Sequence, residues 1–231
     1  MAIRVYNMKK GELIAMIYTY DFYPIDSRMY VLLENEKALV IDPCISDDAL
    51  RLLQENNVTE ILVLLSHEHY DHISGVNWLR ENFPKVHVMC SSECAAALQS
   101  PSDNLSNFWE ILFVGKDKET QEYVRNMNIQ PYSCKADSTF SGEKEMSWEG
   151  HSLFLKRTPG HSRGSICILL DRNILFSGDS LVTGYPTITR LPGGSKKDYR
   201  EITLPYFQTL NPGTMVYPGH GEKQPLECYI T

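Results

Sequence analysis

The sequence predicts an α+β fold in which two packed β-sheets carry helices on their outer faces. Short apolar runs bounded by polar turns recur in two strand-rich halves, residues 1–90 and 141–231, and segments of helical spacing follow several of them. No low-complexity linker divides the halves, so one domain is expected over residues 1–231, with a polar helical insertion at about 94–140. A chain of 231 residues can bury a full core without disulfides or other staples.

Taken in order, Leu13 to Tyr20 reads as a strand, and Met29 to Asp42 as a hairpin turning at Glu34-Asn35-Glu36 between two apolar runs. Asp42-Pro43 ends it. Asp47 to Asn57 reads as a surface helix capped by Ser46 or Asp47, and Ile61 to Leu65 as a buried strand. Ile73, Val76, Leu79 and Phe83 step by three, three and four, the spacing of a helix whose N-terminus holds Asp71 and His72. Val86 to Cys90 is a strand, and Ser91 or Ser92 caps a helix through Leu98. Beyond it lie a loop at Ser100 to Asn104 and a charged helical run from Lys116 to Arg125. Strands return at Ser152 to Arg157, Ser165 to Leu170 and Ile174 to Ser177, the last two joined at Asp171-Arg172-Asn173.

Composition narrows the partners. A net charge of −7, with no lysine or arginine run longer than two, lacks the basic footprint of a nucleic-acid binder, so a small-molecule substrate is expected. No apolar stretch is long enough to cross a bilayer and no leader pattern opens the chain, which predicts a cytoplasmic protein. The cysteines at 44, 90, 94, 134, 167 and 228 form no CxxC pair, so free thiols are expected.

The most specific stretch is Ser66-His67-Glu68-His69-Tyr70-Asp71-His72. The chain is still extended after the strand, so His67 and His69 share a face while Glu68 points away. Three further candidates stand beside glycine on strand-end loops: His161 in Pro159-Gly160-His161-Ser162, Asp179 in Ser177-Gly178-Asp179-Ser180, and His220 in Pro218-Gly219-His220-Gly221. His67, His69, Asp71, His72, His161, Asp179 and His220 leave only His87 and His151 of the seven histidines outside the set. Imidazole and carboxylate suit zinc, iron or manganese, and a set without cysteine is unlike a closed structural zinc site. Seven ligands exceed the needs of one tetrahedral ion, so two ions are expected.

HxHxDH followed by PGHS, SGDS and PGHG resembles the metallo-β-lactamase superfamily over nearly the whole chain. The resemblance implies a four-layer αβ/βα sandwich with the metals at one edge between the sheets. It implies a first ion on His67, His69 and His161, a second on Asp71, His72 and His220, and Asp179 bridging both. Two zinc ions would acidify a shared water, oriented by Asp71, for hydrolysis of an ester, thioester, lactone or amide. Asp42 matches an aspartate the family keeps beneath the metal pocket.

Leu191-Pro192-Gly193-Gly194-Ser195, Asp198-Tyr199 and Pro218-Gly219-His220-Gly221 are similar to small stand-alone glyoxalase II-like hydrolases. The chain departs from full-length glyoxalase II in two ways: 11 residues follow His220, where that enzyme has a glutathione-binding helical domain, and 88 residues separate His72 from His161. An acyl-homoserine lactonase shares the ligand set and the longer spacer. A mononuclear-iron persulfide dioxygenase and a non-catalytic metal-binding sensor are the readings of other classes. A flavodiiron protein would carry glutamate in place of His69, and a secreted β-lactamase a leader peptide.

His87 and His151 read as surface or satisfied core histidines, and Cys44 as a buried inert thiol. Arg163, Arg190, Lys196 and Lys197 read as loop charges, any one of which could hold an acidic substrate group, and Tyr185 is a candidate pocket residue.

Overall fold

A computed structural model describes residues 16–230. β1 (Ile17–Phe22), β2 (Ser27–Glu34) and β3 (Lys37–Ile41) form an antiparallel meander. Residues 13–15 of the expected first strand lie outside the described residues. Asn35 and Glu36, at φ of 50° and 59°, make the tight turn between β2 and β3. α1 (Asp47–Glu55) starts at Ser46, whose hydroxyl accepts from the Ala49 N–H, and leads into β4 (Glu60–Leu64).

The helix expected through Phe83 is instead two pieces, α2 (Tyr70–Ile73) and α3 (Val76–Asn82). Gly75 explains the break. Its N–H donates to Pro43 O at 2.8 Å, and a Cβ on Gly75 would lie 2.8 Å from the Cys44 carbonyl, so the backbones touch where a side chain would keep them apart.

β5 (Val86–Ser91) follows, then α4 (Ser92–Ala97), capped by Ser91. The polar middle of the chain holds a 3₁₀ helix at Ser106–Phe113, which its sequence did not announce, and α5 (Lys118–Met127), capped by Asp117. β6 (Ser138–Phe140) completes the first sheet, in the order β1-β2-β3-β4-β5-β6, with β3 to β6 parallel.

The second sheet contains β7 (Glu143–Trp148), β8 (His151–Arg157), β9 (Ile166–Leu170), β10 (Ile174–Gly178), β11 (Met215–Pro218) and β12 (Gln224–Pro225), hydrogen-bonded in that sequence. Between β10 and β11 the chain forms α6 (Lys196–Asp198) and α7 (Leu204–Thr209).

Side-chain alternation distributes the apolar residues among three layers of core. Leu32, Leu39, Ile41 and Leu64 face Leu155, Ile168, Leu170 and Phe176 between the sheets. Their neighbours Val31, Val40 and Val63 turn outward and pack with Leu53 of α1 and Leu79 of α3. On the far face, Leu169, Leu175 and Val216 cover Phe207 of α7. Helix, sheet, sheet and helix therefore stack in four layers, as expected for this fold class. No helix among the described residues is long and apolar enough to cross a membrane.

Candidate metal centre

The candidate residues meet where strand ends of both sheets come together. The loop after β4 supplies His67 to His72, the β8–β9 loop His161, the end of β10 Asp179 and the end of β11 His220. β10 and β11 run parallel, and the Gly219 N–H donates to Gly178 O at 2.8 Å, which sets Asp179 beside His220. Contacts that join the sheets here include a bridge between Ser27 and His220 and a bond of 2.7 Å from Ile166 N–H to Ser66 O. All seven predicted residues are brought to this one edge.

At His69 the backbone is extended, φ −65° and ψ 145°, and Asp71 and His72 follow in the first turn of α2. Two trios result, the ligand atoms of each lying within 4.8 Å of one another: His67, His69 and His161, and Asp71, His72 and His220. In the first, His161 Nε2 is 2.9 Å from His69 Nδ1. In the second, His72 Nε2 is 3.2 Å from Asp71 Oδ2 and 3.4 Å from His220 Nε2. Asp179 lies between them, its Oδ2 3.4 Å from both His161 Nε2 and His220 Nε2 and its Oδ1 3.5 Å from His72 Nε2.

The far nitrogens are fixed from behind. His161 Nδ1–H donates to Ile188 O and His220 Nδ1–H to Ile25 O, each at 2.9 Å. His72 Nδ1–H donates to Asp42 Oδ2 at 3.0 Å, and His67 Nδ1–H to Ser66 Oγ at 2.9 Å. Ser66 passes the bond on to Asp42, whose Oδ1 also accepts the Ser66 N–H at 2.6 Å. In the neutral imidazole each of these bonds places the proton on Nδ1 and leaves Nε2 for the centre. Asp42 falls with His67 and His72 in a third cluster of possible ligands, but its oxygens are engaged by Ser66 and His72.

These residues fit a bound cation. His67 Nε2 and Asp179 Oδ1 are buried acceptors without a hydrogen-bond partner, and His69 Nε2 is also unpaired. Facing imidazole nitrogens 2.9 Å apart repel unless a proton or a cation lies between them.

The trios differ in charge. Burial holds His67 well below the ordinary imidazole range, lowers His161, and pushes His69 down to about 3. Burial alone would lower His72 and His220 too, but Asp71, Asp179 and Asp42 outweigh it for His72, which is held well above that range. Asp179 and Asp71 likewise raise His220 to about 10. Burial favours neutral Asp71 and Asp179, yet the surrounding histidines hold both well below the usual carboxylate range. The first trio thus offers free lone pairs near neutral pH, whereas the second carries protons that an entering cation displaces.

Sequence reasoning missed Ser66, Ser162 and the Ile25 and Ile188 carbonyls. Ser66 adjoins the motif and could have been suspected; the carbonyls leave no mark in a sequence. Of the residues held back, Cys44 is buried and its thiol is pushed up to about 12 by that burial, consistent with an inert core residue. His87 is exposed on β5 beside Ser138, and His151 is buried with Nδ1 2.6 Å from Asp171. Tyr185 is 77% exposed. Lys197 reaches Glu201 at 3.9 Å on the surface.

Several known proteins resemble this chain. A family model described as the metallo-beta-lactamase superfamily matches residues 23–220. A probable metallo-hydrolase of Streptococcus pyogenes is 27% identical over 194 residues, covering 83% of this chain and 78% of that protein. A hydroxyacylglutathione hydrolase of Klebsiella pneumoniae is 28% identical over 160 residues, 69% of this chain and 49% of the relative. Among solved structures, the B3 metallo-beta-lactamase BLEG-1 is similar at a TM-score of 0.72 and 26% identity, covering 92% of this chain and 95% of that one.

Proposed function

Because the chain belongs to the metallo-β-lactamase superfamily of metal-dependent hydrolases, we propose that it holds two zinc ions and cleaves a small ester, thioester or lactone. The observation that carries this reading is Asp179, set between an all-imidazole trio and a second trio that contains a carboxylate. In it, His67, His69 and His161 would hold the first ion, Asp71, His72 and His220 the second, and Asp179 would serve both. These residues would place two divalent ions where, when bound, they would supply an acidified water and a Lewis acid for the substrate carbonyl.

The chain's own groups do the rest. Asp71 presents Oδ2 to His72 and His220, at 3.2 and 3.4 Å, and its carboxylate would orient the attacking water. Asp42, Ile188 and Ile25 keep the imidazoles from turning as charge develops. Burial of Asp71 and His72, at 7% and 0% exposure, limits competing solvent around the reacting carbonyl.

Residues 94–140 act in this reading as an insertion within one domain that shapes the substrate pocket. The unbridged cysteines suit a reducing compartment, and the enzyme works in the cytoplasm on a small molecule.

A panel of thioesters, lactones, esters and β-lactams, assayed with and without a chelator, tests the proposal. Turnover of at least one acyl substrate is expected, lost on chelation and restored by zinc. Oxygen uptake with a persulfide substrate and one equivalent of iron, without hydrolysis, would replace it with the dioxygenase reading.

A further inference from the structure

We propose that Glu68 is a positioning residue: its buried hydrogen bond to Ser162 latches the His161 loop against the His67–His69 strand end and so sets the first ion site. The inference rests on the two-ion reading above.

Alternation turns Glu68 away from the face that carries His67 and His69, where an ordinary polar residue would reach solvent. Glu68 is instead only 3% exposed. Burying a carboxylate costs several kcal/mol unless strong partners receive it, so its retention calls for a use. Its Oε2 accepts from Ser162 Oγ at 2.9 Å.

The surrounding loop is built around that bond. Ser165 Oγ accepts the Ser162 N–H at 3.1 Å and lies 2.9 Å from Ser162 Oγ. Gly164 closes over the carboxylate: a Cβ there would run into Glu68 Oε2 and come within 2.5 Å of Cys94 Cα. Ser91 Oγ holds the Gly164 carbonyl at 2.8 Å from the other side. The latch thus joins two segments 94 residues apart in the chain, one position from His69 on one side and one position from His161 on the other. Those are the imidazoles whose nitrogens approach to 2.9 Å. The second trio is anchored elsewhere, His72 on Asp42 and His220 on Ile25. Loss of the latch should therefore act on one ion.

The test is zinc binding to the metal-free full chain, read by competition with a chromophoric chelator, with cobalt spectra assigning the two sites and thermal unfolding verifying the fold. Glu68→Met and Ser162→Ala are expected to weaken the first ion by about 10- to 100-fold and to leave the second within about threefold. Glu68→Gln, which still accepts from Ser162, is expected to stay within about threefold at both sites. The double variant should be no weaker than either single one, since both remove the same bond. If Glu68→Met does not fold, Ser162→Ala, which removes one hydroxyl, decides alone.

Equal weakening of both ions would overturn the proposal, as would wild-type affinities in Glu68→Met and Ser162→Ala. A raised KM with both ions unaffected would also overturn it, assigning Glu68 to the cavity of about 210 Å³ that it lines with Arg163 and Gly193. A wild-type chain that binds fewer than two ions would refute the two-ion reading itself. Two ions in wild type with unchanged variants would refute only the latch.

Discussion

Asp179→Ala is expected to lower kcat/KM on the order of 10³-fold, comparable with removing a principal electrostatic element of an active site. The reason lies in its position. Asp179 Oδ2 is equidistant, at 3.4 Å, from a nitrogen of each trio, and Oδ1 approaches His72 at 3.5 Å. It is the carboxylate that faces the inner nitrogens of both trios, so its loss removes charge compensation from both ions at once. Five imidazoles and Asp71 would then hold two dications with half of their counter-charge missing. Zinc titration of the variant should show both affinities reduced, the mark of a bridging residue. Loss of one ion with the other held at wild-type strength would restrict Asp179 to a single site.

Asp42→Asn is expected to weaken both ions by about 10- to 100-fold, the usual effect of losing an outer partner of a metal-binding histidine. Asparagine suits the left-handed backbone at this position, where φ is 53°, so the change tests chemistry more than strain. One of its two oxygens becomes an NH₂ donor. Facing His72 Nδ1, that donor favours the tautomer with hydrogen on Nε2, which closes the lone pair needed by the second ion. Facing Ser66, it reverses the chain of bonds that fixes His67 at the first ion. The effect reaches both sites because one carboxylate serves both trios. Isothermal titration with zinc on the metal-free variant measures it, and unaltered affinity at either site would remove Asp42 from that site's support.

The candidate site was legible where its residues are neighbours in the chain. His67, His69, Asp71 and His72 fall within six positions, and strand alternation followed by a helical turn accounts for their directions. His161, Asp179 and His220 could be found because each stands beside glycine at a strand end. What supports them was not legible, because pairs such as Glu68 with Ser162 or His220 with the Ile25 carbonyl are long-range, and backbone acceptors have no residue identity.

The fold shows the same division. Apolar runs with both faces buried, such as Lys37–Ile41 and Glu60–Leu64, stand out in the sequence. Glu143–Trp148 does not, because an edge strand can alternate charged residues with Met146 and Trp148 and bury only one side. The interruption at Gly75 was hidden by a helical spacing that continues across it, and only contact with Pro43 and Cys44 reveals the break.

The central claim is that seven side chains hold two ions in separable sites. Elemental analysis of protein purified without added metal tests it most directly, run beside His72→Ala and His220→Ala. The account predicts two equivalents of metal per wild-type chain and one in each variant, with the first trio still filled. One equivalent of iron in wild type, or loss of both ions in either variant, would contradict it.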